Sequence, residues 1–240
     1  MSAPTTAFWL AHYDEVHRGS HAWLDYSNER VQGQSLSLAL EALGSIEGRR
    51  CLDVGAGRGQ LAKMLSALGA SHVTAIELVE NTVRKLRAEA PQIEWRAGDA
   101  GDARSYAGLG GFDVVAAVEV LQYVPFAPTL ELLFSLLRPG GRLVGVIPNR
   151  ACPMVRRPIE RYEGRFGAVS SEELAGVLGV LPGLLLWRHK GLHFADDQRL
   201  LPYEVSAWSG QAGGLSGVPN RFVFVALREG AMGEASVSQE

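Results

Sequence analysis

From Arg50 to Pro148 the chain alternates short apolar runs with amphipathic segments, and this alternation restricts its fold more than any other feature. RCLDV, GQLAKMLSALG, HVTAIEL, ENTVRKLRAEA, IEWRAG, FDVVAAVEV, PTLELLFSLLRPG and RLVGVIP follow one another in order. Near-continuous apolar runs predict strands buried on both faces, and the segments between them carry helical periodicity. Strands alternating with helices imply right-handed βαβ units and a parallel sheet covered on both sides. The fold class is therefore α/β, a three-layer sandwich. LLLWRHKGLHF and RFVFVALRE are two further strand candidates, joined by a long loop.

Outside this core the pattern changes. TTAFWLAHYDEVHR and ERVQGQSLSLALEAL read as helices, parted at Gly19-Ser20, with Ser27-Asn28 as a cap and Gly44 as a stop. After Pro148 a segment bearing Arg150, Arg156, Arg157, Arg161 and Arg165 precedes the helix SEELAGVLG. The tail is small and polar, and disorder is expected there. The expected division is a helical cap or lid over 1–46, a main domain over 47–228 with its core at 50–148 and an arginine-bearing insertion at 149–170, and a tail over 229–240.

A chain of 240 residues, 47% hydrophobic and 20% charged, is long enough to bury a full core as one domain. Its net charge of −3 provides no general attraction to a phosphate backbone, so a nucleic-acid partner is not expected. The start lacks a basic stretch followed by an apolar one, and no run approaches the roughly 20 apolar residues of a membrane span. No stable membrane insertion and a cytoplasmic location are the expectation. Cys51 and Cys152 are the only cysteines, and no disulfide framework is expected.

The first βα turn, CLDVGAGRGQL, places Gly55, Gly57 and Gly59 behind a strand. In an open parallel sheet this turn floors the ligand crevice, and glycine lets backbone approach a ligand closely. A dinucleotide fingerprint needs G-x-G-x-x-G, whereas here the third glycine comes one residue early and Gln60 stands in its place. Asp53 discriminates further, because its carboxylate would repel a pyrophosphate and attract a cationic ligand. These residues disfavour a nicotinamide-dependent oxidoreductase.

LDVGAGRG resembles motif I of the class I S-adenosylmethionine-dependent methyltransferases, and the resemblance continues in order through AIEL, RAGDA, FDVVAAVEVLQYVP and LLRPGGRLV. It implies a mostly parallel seven-stranded sheet with an antiparallel last strand, N-terminal lid helices, and S-adenosylmethionine as cofactor with S-adenosylhomocysteine as product. By the same resemblance Gly55, Ala56 and Gly57 hold the methionine end, Glu77 the ribose hydroxyls, Leu78 the adenine face, and Asp99 with Ala100 the adenine edge. Asp53 either touches the ligand or orients loop amides. Glu119 either lies near the methionine portion or caps the next helix. Tyr13 is the lid residue that would close on the cofactor.

The implied activity is methyl transfer to a small-molecule acceptor, at oxygen or nitrogen, in biosynthesis. A cofactor-binding partner or regulatory module without turnover is the alternative. If the acceptor is a hydroxyl, a general base helps, and His17, His12 and His193 are the candidates. Trp23, Tyr26, Tyr123 and Arg150 are candidate substrate contacts, and the arginine set either meets an anionic group or forms a solvated face. His17 and His21 have i, i+4 spacing, but the glycine break parts them and no further ligand motif accompanies them, so no metal is expected.

Overall fold

The structure, a computed structural model, describes residues 3–18, 29–193, 204–205 and 218–230. The Gly19-Ser20 break, the Ser27-Asn28 cap, His21, Trp23, Tyr26 and most of the tail lie outside the described residues, as does the side chain of His193.

Two helices come first, α1 (Ala3–Arg18) and α2 (Glu29–Leu43). The alternating core then runs β1 (Arg50–Val54), α3 (Gln60–Ala67), β2 (His72–Glu77), α4 (Glu80–Glu89), β3 (Glu94–Ala97), β4 (Phe112–Val118), α5 (Phe126–Ser135) and β5 (Leu137–Pro148). It is followed by α6 (Pro153–Arg161), α7 (Ser171–Leu178), β6 (Leu184–His193), β7 (Glu204–Val205) and β8 (Arg221–Arg228). One sheet holds the strands in the order β3-β2-β1-β4-β5-β8-β6-β7. The first five are parallel, and β8 inserts antiparallel between β5 and β6. The two-residue β7 is an eighth strand beyond the seven expected.

Alternation along each strand builds the three layers, since successive side chains leave opposite faces of a sheet. Leu52 and Val54 of β1 join Val115 and Ala117 of β4 against Leu130, Leu133 and Phe134 of α5 and Leu174 and Leu178 of α7. Cys51, Val114 and Val144 go to the other face, against Leu43 of α2, Leu65 of α3 and Val83 of α4. All of these are buried. At about 25 cal/mol per Å² of apolar surface, two such interfaces supply the main driving force for folding.

Two local readings are corrected. The Leu-Arg-Pro-Gly at the end of PTLELLFSLLRPG, read as part of a helical segment, lies inside β5, where a Cβ on the next residue, Gly141, would meet the Phe112 carbonyl oxygen at 2.8 Å. Only a residue without a side chain permits that approach. The arginine-bearing segment contains α6, which begins with Pro153, carries a second proline at Pro158, and buries Val155. Proline at the first helical position loses no intrahelical hydrogen bond, which is why the helix can start there.

Candidate active site

Strand order reverses between β1 and β4, so the crevice lies over the carboxyl ends of these strands. The β1 turn floors it. Gly55 sits at φ +72°, and a Cβ there would meet Val120 Cγ2 at 2.4 Å. Gly59, the N-cap of α3, sits at φ +75° against the Trp95 ring. The amides of Gly55 and Ala56 both donate to the Ile76 carbonyl at 2.9 Å, which ties the loop to the tip of β2.

Glu77, 5% exposed, stands at that tip. Its carboxylate accepts from the Gly57 amide at 2.9 Å and the Val79 amide at 3.0 Å. Burial pushes its pKa up, and the backbone donors, that of Leu78 included, pull it back. A carboxylate offers about four acceptor sites, so Glu77 shapes the loop before any ligand arrives. Asp53 is also buried. Burial pushes its carboxyl up to about 7, opposed by the Ala62 amide, and Oδ2 has no hydrogen-bond partner among the described residues. An unanswered buried carboxylate oxygen in the strand that feeds this loop suits a ligand group that is cationic or donates hydrogen bonds.

Asp99 follows β3, with Oδ1 accepting from the Gly101 amide at 2.8 Å. Oδ2 accepts from Thr6 Oγ1 of α1 at 2.7 Å. Ala100 is buried, and its carbonyl accepts from the Tyr106 hydroxyl at 2.8 Å. The three acids thus stand at or near the ends of adjacent strands β1, β2 and β3.

The other flank is built by distant groups. Glu119 follows β4 at φ +54°, a left-handed conformation that is uncommon for a residue with a side chain and costs energy wherever it persists. Its carboxylate accepts from Arg221 Nε at 2.7 Å, Ser35 Oγ at 3.1 Å and Gln122 Nε2 at 3.2 Å. Arg221 keeps only 17% of its side chain exposed. Burial pushes its guanidinium pKa down, Glu119 pushes it up, and the balance is upward. None of Ser35, Gln122, Arg221 and Thr6 is marked by the sequence motifs, although Gln122 lies within FDVVAAVEVLQYVP.

Helix α1 roofs the crevice. Trp9, 2% exposed, packs with Cys152, Val155 and Phe166, and Phe8, Tyr13, Leu78, Tyr123 and Tyr162 surround this cluster. Trp9 meets Tyr123 edge-on at 4.6 Å between ring centroids and Tyr162 at 5.0 Å. Tyr13 lies 5.4 Å from the Tyr123 ring and hydrogen-bonds its hydroxyl, which burial keeps protonated. His12 stands among these rings, 5.6 Å from Trp9 and from Tyr162, and burial lowers its pKa.

His17 is elsewhere. Its Nδ1 lies 2.8 Å from Thr82 Oγ1 on the first turn of α4, beside the Glu77 tip, and its pKa falls to about 4 through burial and the nearby Arg58. Of the two histidines described in α1, His12 stands among the rings of Phe8, Trp9, Tyr13 and Tyr162, whereas His17 meets the cluster at its edge, 5.9 Å from the Tyr13 ring. Arg150 is committed too, since it donates to the Ala168 carbonyl at 2.6 Å and to Glu173 at 2.8 Å. It clamps the start of α7, which argues against a substrate contact. Arg165 lies over the Phe8 ring at 4.7 Å and pairs with Glu163 at 3.0 Å. Among the described residues no three acids, histidines or cysteines gather as metal ligands, and no helix is long and apolar enough to cross a membrane.

Residues 27–181 match the model of a family described as a methyltransferase domain. A ubiquinone biosynthesis O-methyltransferase of Xylella fastidiosa strain M23 is 30% identical over 201 residues, covering 80% of this chain and 76% of that protein. The protein of the same description in Xanthomonas axonopodis pv. citri is 32% identical over 172 residues, 69% of this chain and 62% of its own length. Among solved structures, the magnesium protoporphyrin IX methyltransferase of Synechocystis PCC 6803 with bound S-adenosylmethionine superposes with a TM-score of 0.62 at 16% identity, over 94% of this chain and 97% of that one. A possible histamine N-methyltransferase of Thermotoga maritima gives 0.59 at 18% identity, over 87% and 99%. At such identities the structural likeness concerns the fold.

Proposed function

Since the chain belongs to the methyltransferase domain family and is an S-adenosylmethionine-dependent enzyme acting on a small-molecule acceptor in biosynthesis, we propose that it methylates a hydroxyl oxygen on a quinone-precursor ring in the cytoplasm. The observation that carries the reading is His12, its pKa lowered by burial, set among Trp9, Tyr13 and Tyr162 on the roof of a crevice whose floor bears Asp53, Glu77 and Asp99. Rings favour aromatic neighbours, and a neutral imidazole is able to take a hydroxyl proton.

In this reading the cofactor brings an electrophilic methyl carbon on a sulfonium. Glu77 would accept from the ribose hydroxyls with the acceptor capacity its backbone bonds leave, and Asp99 would accept from the adenine amino group beside Ala100. Leu78, partly buried in the aromatic cluster, covers the purine. Gly55, Ala56 and Gly57 carry backbone to the methionine end, and Asp53 Oδ2 answers a donor there. Tyr13 and Tyr123 close the space between the two ligands and exclude water, which strengthens electrostatic contacts inside. Orientation of this kind is worth about 7–11 kcal/mol, and a general base about 10²–10⁴-fold in rate. Positioning is the larger share.

Ring phenols with a neighbouring hydroxyl, supplied with S-adenosylmethionine bearing a deuterated methyl group, test the reading by mass spectrometry. One labelled oxygen per ring is expected, with a rate about 10²-fold lower in H12A at pH 7. Label on nitrogen acceptors alone would overturn the oxygen assignment, and an undiminished rate in H12A would remove the base.

A further inference from the structure

We infer that Thr6 is a positioning residue for the cofactor's purine, and that docking of α1 and recognition of the 6-amino group are one coupled event. The inference rests on the reading of Asp99 as the acceptor of the adenine amino group. Two bonds define that carboxylate. Gly101 holds Oδ1 from within the same turn, and Thr6 holds Oδ2 from a helix 93 residues away in sequence. The turn itself is stiff, because the Ser105 hydroxyl and the Asp102 amide both donate to the Asp99 carbonyl, at 2.8 and 3.1 Å. With the backbone fixed, the remaining freedom is rotation of the carboxylate, and Thr6 removes it. Each oxygen accepts one bond and retains a second acceptor site in a settled direction.

The same helix is tied at its far end. Asn81 Nδ2 donates to Asp14 at 3.3 Å, and His17 bonds Thr82 at 2.8 Å. Thr6 and His17 are eleven positions apart, about 16 Å along a helix axis at 1.5 Å per residue. Thus α1 bridges the β3 turn and the first turn of α4, and Trp9 and Tyr13 lie between the two ties. Anything that orients Asp99 favours the docked helix. By linkage, the factor by which docked Thr6 strengthens purine binding equals the factor by which the purine strengthens docking. A 6-oxo purine presents an acceptor to the Asp99 carboxylate in place of a donor, so it lacks this coupling. Because α1 also carries the aromatic cluster, the acceptor half of the site becomes complete only once the right purine is in place.

Calorimetric titration of the full chain with S-adenosylhomocysteine and with its 6-oxo counterpart, S-inosylhomocysteine, tests this without turnover. In T6V the affinity for S-adenosylhomocysteine should fall about tenfold, as expected for a lost hydrogen bond to a charged group, with that for the 6-oxo ligand unchanged and T6S close to wild type. Equal losses for both ligands, or no loss, would overturn the inference. D99N separates the premise from the inference, since an unaltered preference between the two ligands in that variant removes the adenine reading itself. Hydrogen exchange on the unaltered chain gives an independent readout should T6V fail to fold. Protection across residues 3–18 should rise more with S-adenosylhomocysteine than with the 6-oxo ligand, and an equal rise refutes the coupling.

Discussion

The two flanks of the crevice satisfy their acids by different means. On the β1–β2–β3 side most donors are backbone amides nearby in the chain: Val79 and Gly101 each lie two residues from the acid they serve and Gly57 lies 20 from Glu77, with the Thr6 side chain on Asp99 as the exception. On the β4–β8 side Glu119 is answered by Ser35 and Arg221, 84 and 102 residues distant. Backbone donors come with the turn itself and survive most side-chain changes. A flank held by side chains depends on each of them and is free to be rebuilt for another acceptor. The first flank suits a ligand shared across a family, and the second suits one that differs among its members.

The largest expected effect breaks the second flank. Removing one partner of a buried ion pair strands the other charge, so R221M should cost about 3–5 kcal/mol of stability in denaturant unfolding. Adding E119Q should return most of it. A cost below about 1 kcal/mol would mean that Glu119 reaches water without its partner, and the contrast between the flanks would fail. A smaller effect is expected where the first flank leans on the second. G55A puts a methyl group against Val120 and forces a left-handed φ, at about 1–3 kcal/mol for the overpacking. V120A should recover only part of the packing share, since Cβ of residue 120 stays 2.6 Å from the added methyl, and leave the backbone share. Full recovery would show that φ at this position carries no cost.

The smallest effect separates roof from floor by pH. The folded pKa of His17 is about 4, below its ordinary 6.5, so between these values the unfolded chain binds the extra proton and stability rises with pH. Asp53 has the opposite sign. With a folded pKa of about 7 against an ordinary 3.8, the native state holds the extra proton in that window, and stability falls as pH rises. Melting temperatures recorded between pH 4.5 and 6.5 should therefore lose an upward component in H17N and a downward one in D53N. A shift of the same sign in both variants would show that one of the two environments is wrongly assigned.

How much of this was legible in the sequence follows the same division. The alternating core, the strand-end positions of Asp53 and Glu77 and the turn position of Asp99 can be read from local pattern, because the groups that fix them are their own neighbours. Helix α6 escaped because two prolines and several arginines hide a buried side of few residues, although Val155, Ile159 and Tyr162 keep helical spacing. Arg221 and Ser35 could not be found. Each lies in a segment without a motif, and its importance arises only when β8 and α2 meet the end of β4. His17 and His12 are equal candidates in the sequence because spacing on one helix does not say which neighbour each will face. Thr6 gave no signal at all, since a threonine near a chain terminus is ordinary until Asp99 is beside it.

The position of α1 also bears on how the molecule is made. It leaves the ribosome ahead of its partners, since Thr82, Asp99, Tyr123 and Tyr162 follow much later in the chain, and Thr6 waits for a residue 93 places on. Contacts of such separation carry a closure entropy that local ones do not, and they form late in folding. The sheet and its inner helices can assemble while α1 is still unattached. An element synthesised before its partners is thus fitted after them, and the newborn chain passes through an open form of its own crevice before it first closes.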